Sequence, residues 1–336
     1  MPGATSPGSG YLWTAEKACK NCAAKRKVSL LPLHFSAKYA TICITVYFCK
    51  NEGEDDQMPR TDGKRVKNIE PMYAVVPHIM VHRYDALNAI TEYIPYRPIH
   101  DYIMKKRRED VRLSHMCVLI AAYLRCMAEF PLLNRFIMNK KIYARNEVCV
   151  SMVVLRPGDM DGTMSKIYLD KSDTIFDVNR KINEFVAGNR AAAVTNSTDK
   201  MIKVLLNVPG LLRGGVNIFR WMDKHGLLPR SIIKASPFHA SLVISNLASI
   251  RTNHIYHHLY EFGTSSVFIT MGNSVERPYY DESRTVQLER CLPIGVVMDE
   301  RICSGSYFAK VFRQMQQYLN DPTLLEVPPE TVVEDR

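Results

Sequence analysis

One stretch constrains this chain more than any other. From Leu113 to Phe130 the sequence runs through strong helix formers with apolar residues on nearly every face, among them Met116, Val118, Leu119, Ile120, Ala121, Ala122 and Leu124. A helix that is apolar all round is stable in water only when other elements enclose it, so this one belongs at the middle of a domain. Pro131 lacks the amide donor of a further turn and ends it.

The chain can supply that enclosure. It has 336 residues, 46% of them hydrophobic and 23% charged, a balance that excludes collagen-like, wholly disordered and polytopic membrane proteins. The run Tyr39–Cys49, bounded by Lys38 and Lys50, is too short to span a bilayer, and no early segment reads as a signal peptide. Cys117, Cys126, Cys149, Cys291 and Cys303 stand singly among apolar residues, the pattern of reduced thiols, so a cytoplasmic compartment is expected. The formal net charge of +10 favours anionic partners such as phosphorylated cofactors.

Elsewhere strands and helices alternate, which places the domain in the α/β class. Val-rich Glu147–Leu155 reads as a strand. Ser172-Asp173-Thr174 offers caps for a helix with Ile175, Val178, Ile182, Phe185 and Val186 on one face, ending at Gly188. Strands are expected at Ala240–Leu247, Ser266–Met271 and Pro293–Met298. A last helix is expected over Ser306–Leu319, closed by Asp321-Pro322. Residues 1–67 show no sustained period and are expected to be a poorly structured N-terminal extension, with Met58 as a plausible start. Residues 68–325 form the domain, and 326–336 are expected to be a flexible acidic tail.

Several groups invite a chemical role and have a plainer reading beside it. Cys19-Lys-Asn-Cys22, with Cys43 and Cys49, suggests zinc, but the second pair lacks the tight spacing of a zinc knuckle, so no metal is expected. His254, His257 and His258 follow a strand; the plainer reading is a turn or short helix packing Ile255, Tyr256, Leu259 and Tyr260. His115 and His239 are expected as hydrogen-bonded structural residues. Cys303 would need a cation beside it to be a nucleophile, and Arg301 is its only near neighbour of that kind. Lys105–Arg108 has no interleaved aromatics and Glu109-Asp110 follows, so it reads as a solvated helix end with a phosphate contact as the alternative, and no nucleic acid is expected. Gly214-Gly215 reads as a turn.

Three stretches together resemble the chloramphenicol acetyltransferase-like superfamily, and within it the catalytic domain of dihydrolipoamide acyltransferases. Leu113–Arg135 is similar to the family's central helix with its Pro-x-Leu-Asn ending. Ser241-Leu-Val-Ile-Ser-Asn-Leu-Ala is similar to its Thr-Phe-x-Ile-Ser-Asn-Leu-Gly strand. Asp299-Glu-Arg-Ile-Cys-Ser-Gly305 stands where the family has Asp-His-Arg-x-x-Asp-Gly. The resemblance spans about Met72 to Leu325 and implies a two-layer α/β sandwich with a mixed sheet.

The resemblance also implies acyl transfer between coenzyme A and a small acceptor, with Ser245 stabilising the oxyanion. It implies a trimer whose site lies between subunits. The chain departs from the pattern at two places: Glu300 occupies the position of the catalytic histidine, and Ser304 that of the aspartate. A carboxylate, with an ordinary pKa of about 4.3, is a weak base towards a thiol unless its surroundings raise it. The alternative is therefore a silent relative that binds a ligand or builds an oligomer. No lipoyl-bearing Asp-Lys-Ala and no long Ala/Pro linker is present, so a swinging arm of its own is not expected. Nor is a membrane.

Overall fold

The computed structural model describes residues 27–37, 40–50, 60–155, 162–191, 207 and 211–335. The chain divides into two units, Met1–Gln57 and Met58–Arg336. In the first, where the sequence shows no sustained period, Lys27–Ala37 (β1) and Ala40–Lys50 (β2) pair antiparallel. Cys19 and Cys22 lie outside the described residues.

The second unit begins with Gly63–Arg65 (β3), Pro71–Ile79 (α1), Leu87–Pro95 (β4), Tyr96–Arg108 (α2) and His115–Glu129 (α3). Arg135–Met138 (β5), Lys141–Arg145 (β6), Val148–Leu155 (β7), Gly162–Leu169 (β8) and Ile175–Ala191 (α4) follow. Then come Leu211–Lys224 (α5), Arg230–Ala235 (α6), Leu242–Asn246 (β9), Val267–Met271 (β10), Val275–Tyr280 (β11), Val286–Asp299 (β12) and Gly305–Asn320 (α7).

The sheet is mixed. Its path runs β4-β12-β10-β9-β7-β8, with β11 continuing along the first third of β12. β9 lies parallel to both β10 and β7, whereas β12 and β8 run antiparallel to their neighbours. The all-apolar helix sits where its composition requires. Every residue of α3 from Cys117 to Ala128 is buried, and side chains from α2, α4, α7 and the sheet complete the core around it. Ser114 caps it by accepting from the Cys117 amide at 3.1 Å, supplying one of the partners that a helix N-terminus lacks.

The expected helices and strands lie where the sequence places them, with small shifts at the ends. Thr174 and Asp177 cap α4 reciprocally, at 3.3 and 3.2 Å. That helix continues past Gly188 to Ala191 because a glycine in an exposed turn weakens a helix without stopping it. Two expectations fail. Gly214-Gly215 is not a turn; it lies inside α5. β12 begins at Val286, well before Pro293, because a partner strand, β11, extends it as a hairpin.

One face of the sheet carries the helices. On the other, an irregular segment covers Val243, Phe268 and Val297 with Leu259 and Tyr260. Residues 326–335 run back along the domain. Arg125 donates to the carbonyls of Leu324 and Val327, the Val333 amide donates to Ala128 O at 2.8 Å, and Arg135 holds the Asp335 carboxylate by two hydrogen bonds of 2.6 Å. No described helix is long and apolar enough to cross a membrane.

Candidate active site

β12 delivers the Asp-Glu-Arg motif at its C-terminal end. Asp299 is fully buried, and Arg301 clamps it through Nε and Nη2 at 2.8 and 2.6 Å. The same guanidinium donates to Met80 O and Val81 O, at 2.9 and 3.2 Å. Arg83 Nε stands 3.9 Å from the carboxylate and makes no hydrogen bond among the described residues. Arg301 fixes the turn that follows the strand, since its guanidinium binds Asp299 and the Met80 and Val81 carbonyls at once.

Glu300 points out of that turn and is half-buried. Its amide donates to Ala86 O at 2.9 Å, and its carboxylate accepts from Asn88 Nδ2 at 2.5 Å. Ser304 does not touch Glu300. It is the N-cap of α7, accepting from the Tyr307 amide at 3.2 Å and sharing a 2.9 Å hydrogen bond with the Ser306 hydroxyl. Cys303 is 1% exposed and burial pushes its thiol far up, while Arg301 is turned to Asp299; these surroundings disfavour the thiolate that a nucleophile needs.

Ser245 sits near the C-terminal end of β9, half-buried, and its hydroxyl makes no hydrogen bond among the described residues. The register puts it in a row across four strands: Ser245 pairs with Thr270, Thr270 with Gly295, and Gly295 with Thr91. Within one chain Ser245 and Glu300 are not brought together, because five residues of β12 and two strand spacings separate them, on the order of 15 Å or more.

The segment after β9 crosses this row. After a short 3-10 helix at Leu247–Ile250, residues 252–260 are neither turn nor helix, and Ile255 and Tyr256 are exposed, 48% and 53%, rather than packed. The close approach is permitted by two glycines. A Cβ at Gly295 would lie 2.5 Å from Ile255 O, and one at Gly272 would lie 2.3 Å from the His254 amide nitrogen. Thr270 Oγ1 donates to Ile255 O at 2.5 Å and accepts from the Ile255 amide at 3.1 Å. His254 is set by a hydroxyl rather than a carboxylate: its Nε2 meets Thr91 Oγ1 at 3.0 Å, Thr91 in turn meets Tyr256 OH at 2.5 Å, and its buried Nδ1 has no partner. His257 stacks on Phe268 with ring centroids 4.2 Å apart.

The remaining candidates are structural. His239 is buried between Ser236 Oγ at 2.8 Å and Asp223 Oδ2 at 3.1 Å, as expected. His115 differs from expectation. Its ring stacks on Tyr96, with centroids 5.0 Å apart, and lies 6.2 Å from His100, its Nε2 is buried without a partner, and burial, aided by His100 and Arg290, lowers its pKa. The basic run ends α2 as expected, but Lys106 is buried and tied to Glu109 and Glu326 at 2.8 and 3.0 Å. No group of three metal-ligating side chains exists among the described residues.

Sequence reasoning missed Asn88, Thr91, Thr270 and Gly295. The one signal was the pair of glycines in or just after strands, which marks close backbone approach.

No family model and no curated protein matches the chain. Solved structures do. The cubic core of the pyruvate dehydrogenase multienzyme complex matches at 12% identity over 77% of this chain and 93% of its own, with a TM-score of 0.50. The dihydrolipoamide acetyltransferase of Azotobacter vinelandii, in which a serine, a histidine and an asparagine have been investigated for their catalytic roles, gives the same identity, coverage and TM-score. A chloramphenicol acetyltransferase matches at 10% identity over 76% of this chain and 99% of its own, with a TM-score of 0.47. A mixed sheet faced by helices around a buried central helix is the fold this chain shares with the dihydrolipoamide acetyltransferase and pyruvate dehydrogenase complex cores.

Proposed function

We propose that the chain is an acyltransferase-like protein that moves an acyl group between coenzyme A and a small-molecule acceptor, with Ser245 as oxyanion donor and Glu300 as proton acceptor. The observation that carries this reading is the Ser245 hydroxyl, partly buried and without a hydrogen bond among the described residues, and so able to donate to a ligand. A preorganised donor of this kind contributes about 3–4 kcal/mol to a transition state that develops negative charge. Because Ser245 and Glu300 stand apart within one chain, the site requires Glu300 of an adjoining copy, and a homotrimer or a multiple of one is the assembly proposed. The similarity to the core of a multienzyme complex supports a multimer. Five free, buried cysteines fit a reducing, cytoplasmic setting.

A second reading has its own observation. Ser304 spends its hydroxyl on a helix cap, and Glu300 meets an uncharged amide, so neither side chain has an ionic partner among the described residues. A silent homologue that binds a ligand or builds an oligomer would keep the Asp299–Arg301 frame and lose the proton acceptor in this way. Thiol release from acetyl-CoA separates the two. A rate that falls in Glu300→Gln supports the enzyme; equal background rates remove it. Recovery in Glu300→His with Ser304→Asp would show that the scaffold still holds the site.

A further inference from the structure

A cavity of about 790 Å³ opens where β6, β7, β8 and the C-terminal segment meet. It lies at the start of β7. The register pairs Val150 with Leu242, so the cavity stands about five residues, roughly 17 Å, back along the sheet from Ser245. It is therefore separate from the site proposed for acyl transfer in the same chain.

Its walls carry both signs of charge, and the cations are less fully paired than the carboxylates. Lys64, Arg145, Lys171 and Lys234 line it. The body of the domain adds two carboxylates, and both are engaged: Glu147 with Arg230 at 2.7 Å, and Asp170 with the Ser172 amide and hydroxyl at 3.0 and 2.7 Å. Lys64 and Lys234 have no ion pair among the described residues. Two buried polar side chains at the wall keep an atom without a partner. Asn134, 5% exposed, donates through Nδ2 to Glu147 O at 3.3 Å, which fixes the amide orientation and leaves Oδ1 unmatched. Arg145, 9% exposed, is anchored to Thr264 through Nη2 and leaves Nε unmatched. An orphaned buried polar group is costly, by about 1–3 kcal/mol, unless a ligand satisfies it.

The C-terminal segment supplies the missing negative charge. Asp335 is held by Arg135, and Glu334 stands 3.8 Å from Lys171. The first contact is bidentate and shielded. The second is exposed, long and weak.

We propose that this cavity is a second ligand site, for a phosphorylated small molecule of about nucleotide size, and that Glu334 is its built-in competitor. A phosphate would take Lys171, Lys234 and Lys64. The volume suits such a ligand. Displacing Glu334 from Lys171 leaves the Arg135–Asp335 anchor in place, so the segment yields at its weaker contact.

The test is calorimetric titration of the full chain with adenosine 5′-monophosphate and with inorganic phosphate. Saturable binding of the nucleotide is expected, weaker for phosphate alone and falling as salt is added. Lys171→Ala with Lys234→Ala should weaken it at least tenfold, whereas Lys105→Ala, a surface change elsewhere, should leave it unchanged. Glu334→Gln should tighten it about threefold to tenfold. Ser245→Ala should have no effect, which keeps this site distinct from the acyl-transfer reading. No saturable binding of either probe, or an equal loss in Lys105→Ala, would overturn the proposal.

Discussion

The Asn88 amide and the Glu300 carboxylate form a 2.5 Å hydrogen bond that ties the first strand of the domain's main sheet to the turn after the last. Asn88 pairs with Met298 in the ladder, so its side chain reaches Glu300 across one strand end. The amide is the carboxylate's hydrogen-bond partner among the described residues. Asn88→Asp would place a second carboxylate against it, and like charges disfavour ionisation. The acid limb of the pH profile for thiol release should then move up by about one pH unit or more. A profile that does not move means that Glu300 is not the base.

The Asp299–Arg301 pair supports that turn from below. Both side chains are essentially buried, at 0% and 3% exposure. Removing one partner from such a pair leaves an uncompensated charge in the interior, at a cost of about 3–5 kcal/mol. Arg301→Ala should lower the unfolding free energy measured in urea by that amount, and Arg301→Lys should recover only part, because an ammonium cannot reproduce the two-pronged contact. A loss below about 1 kcal/mol would place the pair in the class of weak surface bridges.

Stability should fall in acid through a different cluster. Burial, opposed by Asp223, lowers the pKa of His239 from its usual 6.5. The folded state thus holds the imidazole neutral, while the unfolded chain takes up a proton near 6.5. That contribution is full above 6.5 and fades as pH falls through the lower folded value. Burial would raise Asp62 and Asp223, but Arg60 outweighs it for Asp62, and His239 with Arg60 for Asp223, holding both below 3.8. Their contribution is lost at still lower pH. Melting temperature should therefore decline in two stages below about 6.5, and His239→Gln should reduce the first stage, leaving the share of His115, whose pKa burial also lowers. A first stage that is undiminished in the variant would assign it elsewhere.

The sequence carried the core more readily than the site. The period of α3 and the Ile-Ser-Asn and Asp-Glu-Arg strings specify the central helix and the two strand ends, because burial and strand pairing act on local patterns. The contacts around the motifs are of another kind. Asn88 meets Glu300 across 212 residues, and Thr91 meets His254 across 163; neither residue belongs to a pattern that local spacing could reveal. Arg301 is adjacent to Glu300 in sequence yet turns the other way, towards Asp299. The anchorage of Asp335 by Arg135 likewise joins residues 200 apart.

The buried thiols offer a direct check on the core. Burial pushes Cys117 up to about 12 and Cys126 well above its ordinary value. Thiolate is the reactive form, so iodoacetamide at pH 8 should leave Cys117, Cys126 and Cys303 unmodified in the folded protein and label them only in denaturant. Peptide mass spectrometry reads each cysteine separately. Native labelling at Cys303 would reopen the nucleophile reading.

Gly295 tests the crossing segment most sharply. A methyl group there would meet Ile255 O at 2.5 Å and Thr270 Oγ1 at 2.9 Å, with the His254 ring carbon at 3.2 Å. Two of these are fixed by their own hydrogen bond, so the strand pair cannot accommodate a side chain without moving residues 254–256 off the sheet. Gly295→Ala should cost about 1–3 kcal/mol, as overpacking of a tight contact does. It should also break the Thr91–His254 contact, which the histidine ring signals in an NMR spectrum report directly. Thr91→Val removes the same contact without displacing the backbone and should change those signals at a much smaller stability cost. If Gly295→Ala is as mild as Thr91→Val, the segment does not rest on the strand, and the placement of His254 beside the Ser245 row fails with it.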